Sequence, residues 1–198
     1  MTEEQITYMA IDLELEQPNN CQNVLDSSVD EAVIIQVGWT VYDVFPDFYS
    51  YHTAQYCVKH DFNLSTHIKK LTGLTDADIQ NGIPLPVIFD YMRYDFESWD
   101  VVNPIREWGF GDIDKFRREL LEQSSIDWPW GFSGCNVKHM YQDMAHVCNL
   151  SRNGGLLTCM KRLGITPLQF EGVKKHQAGV DSLNTALFHA HMMQFIRY

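Results

Sequence analysis

The stretch ITYMAIDLEL (residues 6–15) holds the features that decide the fold, because an apolar β segment here carries two acids. Its branched, aromatic and aliphatic residues predict a strand that is buried on both faces. Asp12 and Glu14 lie two positions apart, so both side chains leave the strand on the same face. Two carboxylates there repel each other and lose hydration unless a cation lies between them. The pattern predicts a cation site; the alternative is a pair of solvated acids at the end of an edge strand.

Two further strands are expected after the first. AVIIQVGWTVYDV (residues 32–44) is the strongest β segment, and YHTAQYCVKH (residues 51–60) follows it, so the three predict an antiparallel meander. The polar residues 17–31 predict a loop between the first two strands. Helical patterns follow, with one or two short extended pieces between them. This order predicts an α/β fold with a mixed sheet flanked by helices, and 198 residues suit one domain, residues 1–198.

Helix signals are clearest in NLSTHIKKLTG, where Ser65 and Thr66 are candidate N-caps and Gly73 is a candidate stop. Further helices are expected at residues 74–82, 84–99 and 112–123 and in three later segments. The turn WGFGD places Asp112 at the start of one of them, with Asp114 two residues later. Acids at a helix N-terminus are favoured by capping and by the helix dipole, so each is a candidate cap as well as a candidate metal ligand.

The stretch HQAGVD places His176 five positions before Asp181. Flanking glycines predict a loop around the histidine, and the aspartate falls in the first turn of an amphipathic helix. Taken singly, His176 is explained equally well by a structural role as by a functional one. Asp181 is explained equally well by a capping role.

Composition excludes several classes of protein. The N-terminus lacks the pattern of a secretory signal and no window suits a membrane span, so we expect a cytoplasmic protein that does not contact a membrane. Five scattered cysteines without a C-x-x-C pair predict reduced thiols. A net charge of −11 argues against nucleic-acid binding through basic residues alone. It is compatible with carboxylates that hold divalent cations, since those cations supply the local positive charge.

Taken together, these motifs resemble the DEDDh 3′–5′ exonucleases, which include proofreading subunits of bacterial polymerases, RNase T, oligoribonuclease and the Eri-type RNA exonucleases. Asp-x-Glu on the first strand, an Asp after a Trp-Gly turn and His-x4-Asp occur in the family's order. HIKKLTGLTDADI and HQAGVDSLNTA also resemble family segments, so the likeness covers nearly the whole chain. It implies an RNase H-like five-stranded sheet, with parallel strands after the meander. The Trp-Gly turn and GLLTCMKRLGI look closest to the Eri-type branch, which favours RNA.

The resemblance implies that four acids hold two Mg²⁺ or Mn²⁺ ions. It also implies that a histidine acts as the general base. The metal-binding acids fall on Asp12, Glu14, Asp112 and Asp181, and the base falls on His176. Asp114 remains an alternative to Asp112. Oxygen ligands suit these cations, and an imidazole can take the proton from the attacking water near neutral pH. One departure is Glu16, where the family often has threonine, so Glu16 is a candidate additional carboxylate near the metals.

The implied function is a 3′–5′ exonuclease that acts on the 3′ ends of single-stranded RNA or DNA and releases nucleoside 5′-monophosphates. Two alternatives remain open: a catalytically silent binding, inhibitor or adaptor module of the same fold, and a hydrolase of mono- or dinucleotides. The oligomeric state also remains open, a homodimer included. Candidate phosphate contacts are Lys69, Lys70, Lys174 and Lys175. Candidate base-stacking residues are Tyr42, Trp108 and Phe110, for which core packing is the alternative.

Overall fold

The computed structural model describes residues 6–16, 32–44, 47–109, 111–130, 134–169 and 176–196. Its first three strands form the predicted antiparallel meander: β1 (Thr7–Glu16), β2 (Val33–Asp43) and β3 (Tyr49–Cys57). The third strand ends before residue 60 because the chain turns away at Val58, which bridges in parallel to Ile83. The predicted loop at residues 17–31 lies outside the described residues.

Two short strands complete the sheet, as the resemblance implied. β4 (Arg106–Glu107) pairs in parallel with β1, and β5 (Cys135–Asn136) pairs in parallel with β4. The order across the sheet is β3-β2-β1-β4-β5. The strand that carries Asp12 and Glu14 is therefore central, with hydrogen-bonded neighbours on both sides.

Helices occupy the segments between and after these strands. Ser65 caps the first by accepting a hydrogen bond from the backbone N–H of Ile68, and Gly73 ends it in the left-handed conformation, as predicted. No described helix meets the length and apolarity that crossing a membrane requires. The bounds are α1 (Thr66–Thr72), α2 (Asp76–Gln80), α3 (Leu85–Ser98), α4 (Asp112–Ser124), α5 (Val137–Val147), α6 (Leu156–Arg162) and α7 (Ala178–Ile196).

Helices pack on both faces of the sheet, so β1 is buried on both sides as predicted. Met9, Ile11 and Leu13 point to one face, where they join a core with residues of α3 and α4. Tyr8 and Ala10 point to the other face and pack against α7. Because side chains alternate along a strand, Asp12 and Glu14 also lie on the α7 face.

A glycine on β2 allows the start of α7 to approach the sheet closely. Gly38 is paired in register with Asp12, and a Cβ atom at Gly38 would lie 2.2 Å from the backbone carbonyl carbon of Ala178. Only a residue without a side chain leaves room for that approach. The contact brings the first turn of α7, and with it Asp181, to the position on the sheet where the two acids of β1 lie.

Candidate active site

Three carboxylates that are far apart in sequence meet where β1 faces α7. One oxygen each from Asp12, Glu14 and Asp181 lie within 4.8 Å of one another. All three side chains are half-buried. Carboxylate oxygens at this spacing could hold a divalent cation. The structure thus brings three of the four predicted acidic ligands into one cluster.

The first turn of α7 is held by glutamine side chains that the sequence analysis did not identify. Gln36, only 1% exposed, accepts a hydrogen bond from the backbone N–H of Ala178 at 2.9 Å. Gln55 on β3 accepts one from the backbone N–H of Gly179 at 2.8 Å and donates one to the Gln177 side chain at 3.0 Å. These bonds satisfy two of the N–H groups that a helix start leaves unpaired and set the position of α7 on the sheet. In the sequence, the polar residue Gln36 within the otherwise apolar β2 was the available signal for such a contact.

Asp112 lies beside this cluster, whereas Asp114 does not. Asp112 is the first residue of α4, and its charge acts on both Asp12 and Glu14. The side chain of Asp114 is 61% exposed and lies 3.5 Å from the guanidinium of Arg117, one turn further along the helix. Of the two alternatives at this turn, the structure therefore favours Asp112 as the fourth acid.

His176 lies at the rim of the cluster. Its Nδ1 atom is 3.9 Å from an oxygen of Asp181, and its side chain is 50% exposed. Its φ angle of 59° places it in the left-handed region, immediately before the segment that the glutamines hold. An imidazole that is half exposed to water beside the carboxylates can exchange protons with the solvent.

The carboxylates are in an environment that disfavours their charge. Burial, followed by the charges of Asp112, Asp181 and Glu14, raises the pKa of Asp12 well above its usual range. Burial, followed by Asp181 and Asp112, raises the pKa of Glu14 to about 8. Burial and the charge of Glu107 raise the pKa of Asp112 to about 8. The pKa of Asp181 is raised by burial and is lowered by His176.

This electrostatic pattern fits a cation site. The charged groups that act on Asp12 are all acids, so their repulsion is relieved only by bound protons or by a cation. Clustered carboxylate oxygens are the ligands that Mg²⁺ and Mn²⁺ prefer. The residues present therefore fit the metal ions that the resemblance implies.

A cleft of about 360 Å³ opens beside the acids. Asp12, Asp181 and His176 form its polar side. Trp108 and residues 155–158, which include Leu156 and Leu157, form an apolar wall. With a divalent cation on its carboxylates, such a cleft would suit a ligand that joins an anionic group to a flat ring.

The structure separates the candidate base-stacking residues into one that is buried and one that lines the cleft. Tyr42 is fully buried, and its hydroxyl lies 2.9 Å from Nδ1 of His189, so it packs in the core and cannot stack on a substrate base. Trp108, by contrast, lines the cleft and remains a candidate. Phe110, Lys174 and Lys175 lie outside the described residues.

Two residues from the first half of the chain are used in local structure. Lys69 pairs with Asp76 at 2.7 Å, which engages its ammonium group, while Lys70 is exposed on α1. Glu16 accepts a hydrogen bond from the backbone N–H of Ser65 at 2.8 Å and thereby joins the end of β1 to the start of α1. Glu16 is not a member of the carboxylate cluster formed by the described residues.

Comparison with known proteins supplies independent information about the fold. No family model and no curated protein match the sequence. Solved structures do match it. The nuclease domain of 3′hExo, a DEDDh family member bound to rAMP, is 18% identical with a TM-score of 0.76, over 98% of this chain and 95% of that one.

Two further structures show the same relationship. The cell-death related nuclease CRN-4 is 15% identical with a TM-score of 0.76, over 96% of this chain but only 64% of that one. The Mg²⁺- and Mn²⁺-bound form of Pop2p from S. pombe is 20% identical with a TM-score of 0.55, over 94% of this chain and 82% of that one. The chain thus has the RNase H-like α/β fold of the DEDDh-family 3′ exonucleases.

Proposed function

We propose that this protein is a metal-dependent 3′–5′ exonuclease that hydrolyses phosphodiester bonds at the 3′ ends of single-stranded nucleic acid. The observation that carries the proposal is the meeting of Asp12, Glu14 and Asp181 within 4.8 Å beside Asp112 and His176. These are the residues that the resemblance assigns to the DEDDh site, and three of them, Asp12, Asp181 and His176, line an open cleft. The expected products are nucleoside 5′-monophosphates.

The four acids would hold two Mg²⁺ or Mn²⁺ ions, with Asp12 at the centre because its strand is central in the sheet. Bound divalent ions supply positive charge at the attacking and leaving oxygens of a phosphodiester. The side chains of the cleft perform the remaining tasks. His176 takes the proton of the attacking water at one ring nitrogen and releases it to solvent, to which its side chain is half exposed.

The apolar wall of the cleft would orient the 3′-terminal nucleotide. Stacking of a base against Trp108 or contact with Leu156 and Leu157 does not depend on the identity of the base, which suits the removal of successive nucleotides whatever their sequence. Among solved structures of this fold, the 3′hExo nuclease domain binds rAMP. That complex and the Eri-type features of the sequence favour RNA as the preferred substrate.

The test is degradation of 5′-labelled single-stranded RNA and DNA of the same sequence, with Mg²⁺, with Mn²⁺ and with a chelator. We expect a ladder that shortens from the 3′ end only when metal is present. His176→Ala should lower the rate by a factor of about 10² to 10⁴, the usual contribution of a general base. His146→Ala, an exposed histidine on α5, is the matched control and should behave as wild type.

The same assay separates the alternatives. A folded wild-type protein that binds Mn²⁺ but leaves every oligonucleotide intact would exclude the nuclease and favour the silent binding module. Hydrolysis confined to mononucleotides or dinucleotides would favour the small-substrate hydrolase. Degradation that persists in full with a chelator would exclude the metal-dependent mechanism.

A further inference from the structure

One buried acid beside the site has no part in the proposed mechanism. Glu107 on β4 is 4% exposed and lies five residues before Asp112. A carboxylate is rarely buried without strong hydrogen-bond partners, because desolvation of its charge is costly. The surroundings of Glu107 show which partners it has.

The helix that carries Asp112 begins without a capping side chain of its own. Gly111 occupies the N-cap position of α4 with a φ angle of 109°, and a glycine offers no side-chain acceptor. The first N–H groups of a helix need acceptors from elsewhere. The Glu107 carboxylate provides one: it accepts a hydrogen bond from the backbone N–H of Ile113 at 3.1 Å. A side chain on the neighbouring strand thus caps α4.

The opposite side of this carboxylate is enclosed by the chain that enters β5. A Cβ atom at Gly134 would lie 2.8 Å from the carboxyl carbon of Glu107 and 2.7 Å from the Cδ1 atom of Ile113. Glu107 is also paired in register with Asn136 on β5. The carboxylate is therefore confined between the start of α4 and Gly134, with little freedom to rotate away.

A role as a further metal ligand is less consistent with these contacts. The Glu107 Oε2 atom accepts a hydrogen bond from the backbone N–H of Ile113, and a hydrogen-bond donor at that oxygen disfavours a cation on the same side.

We propose that Glu107 is a positioning residue, which fixes the first turn of α4 and thereby directs the Asp112 carboxylate toward Asp12 and Glu14. The inference rests on the proposed function in that it takes Asp112 as a metal ligand. In this proposal Glu107 contacts neither the metal nor the substrate, but the geometry of the site depends on it. Groups that orient metal ligands typically change metal affinity by a factor of 10 to 100 when they are removed.

The experiment compares Glu107→Ala, Glu107→Gln and Gly134→Ala with wild type. The control is Glu122→Ala, a substitution of an exposed acid on α4. Three quantities are measured: amide hydrogen exchange at Asp112 and Ile113 in the metal-free protein, Mn²⁺ affinity by calorimetry, and the nuclease rate at saturating Mn²⁺. We expect Glu107→Ala to exchange these amides at least about tenfold faster and to bind Mn²⁺ about tenfold more weakly.

Gly134→Ala perturbs position without changing charge, because its Cβ would press on both the Glu107 carboxylate and the Ile113 side chain. We expect Gly134→Ala to change amide exchange and Mn²⁺ affinity in the same direction as Glu107→Ala. Glu107→Gln, which keeps one acceptor oxygen, should give an intermediate effect, and it serves the test if the alanine variant does not fold. Glu122→Ala should match wild type in all three measurements.

Two results would overturn the inference. Amide exchange at Ile113, whose N–H donates to Glu107, that is unchanged in every folded Glu107 variant would show that the carboxylate does not hold this turn. A second contrary result is weaker Mn²⁺ binding in both Glu107 variants with unchanged amide exchange, together with wild-type Mn²⁺ affinity in Gly134→Ala. It would show that Glu107 acts only through its charge. Absence of nuclease activity in wild type would reject the proposed function, while the amide exchange would still decide whether Glu107 positions Asp112.

Discussion

Glu14→Gln should stabilise the metal-free protein at alkaline pH while it abolishes stabilisation by metal. The pKa of Glu14 is raised to about 8 from an ordinary value of 4.5, first by burial and then by Asp181 and Asp112. The folded state therefore holds a proton on this carboxyl more tightly than the unfolded chain does. The stability that this proton contributes is complete below pH 4.5 and is lost as the pH rises through 8.

The size of the effect follows from the two pKa values. The interval between 4.5 and 8 corresponds to roughly 5 kcal/mol of unfolding free energy when the carboxyl is fully ionised. At pH 8 half of the groups still hold a proton, and neighbouring carboxyls share the titration, so we expect about 2–4 kcal/mol. For a chain of this length each kcal/mol moves the melting temperature by about 2–4 °C. Glu14→Gln should therefore melt about 5–15 °C above wild type at pH 8 without metal.

The assay is thermal unfolding, followed by circular dichroism between about pH 5 and pH 8.5, with a chelator and with Mg²⁺. The melting temperature of wild type should fall across this range with the chelator and recover when Mg²⁺ is added. Glu14→Gln should show a flatter profile and little response to Mg²⁺, whereas Glu97→Gln, an exposed acid on α3, should follow wild type. A wild-type profile that is flat with the chelator and unaffected by Mg²⁺ would refute this account of the site.

Two further predictions test how the site is assembled. Gly38→Ala should destabilise the fold and lower nuclease activity, because its Cβ would lie 2.2 Å from the backbone of Ala178. Gly155→Ala, where a Cβ meets no atom within 4 Å, is the control in thermal melts. Equal melting temperatures for the two variants would contradict the close approach of α7. Asp112→Asn should weaken Mn²⁺ binding at least about tenfold while Asp114→Asn leaves it within about twofold, as measured by calorimetry; the reverse order would assign the fourth acid to Asp114.

Much of the fold was predictable because its signals are local. The strand signal of residues 6–15 and 32–44 lies in runs of branched, aromatic and aliphatic residues within single segments, and both strands are observed. The N-cap at Ser65 and the stop at Gly73 depend on a few neighbouring residues and were also predicted correctly. Asp12 and Glu14 share a face because strands have a period of two, whatever the rest of the chain does.

The supporting residues of the site were not predictable in this way, because their partners are distant in sequence. Gln36 accepts its hydrogen bond from a residue 142 positions later, and nothing in the pattern of β2 names that partner. In the sequence, Glu107 is an ordinary acid near a turn, and only the fold shows that it accepts a hydrogen bond from the start of α4. Tyr42 was a candidate for base stacking until α7 covered it and His189 contacted its hydroxyl.

The sequence alone determined the main elements and the order of the candidate acids, since these depend on residue type and on the period of a strand or helix. Only the tertiary structure decided which carboxylates face one another. The choice of Asp112 over Asp114, the exclusion of Glu16 from the cluster and the approach of Asp181 to β1 each depend on how α4, α1 and α7 pack on the sheet. Charge repulsion and desolvation act through space rather than along the chain, so the proposed cation site can form only once that packing is complete.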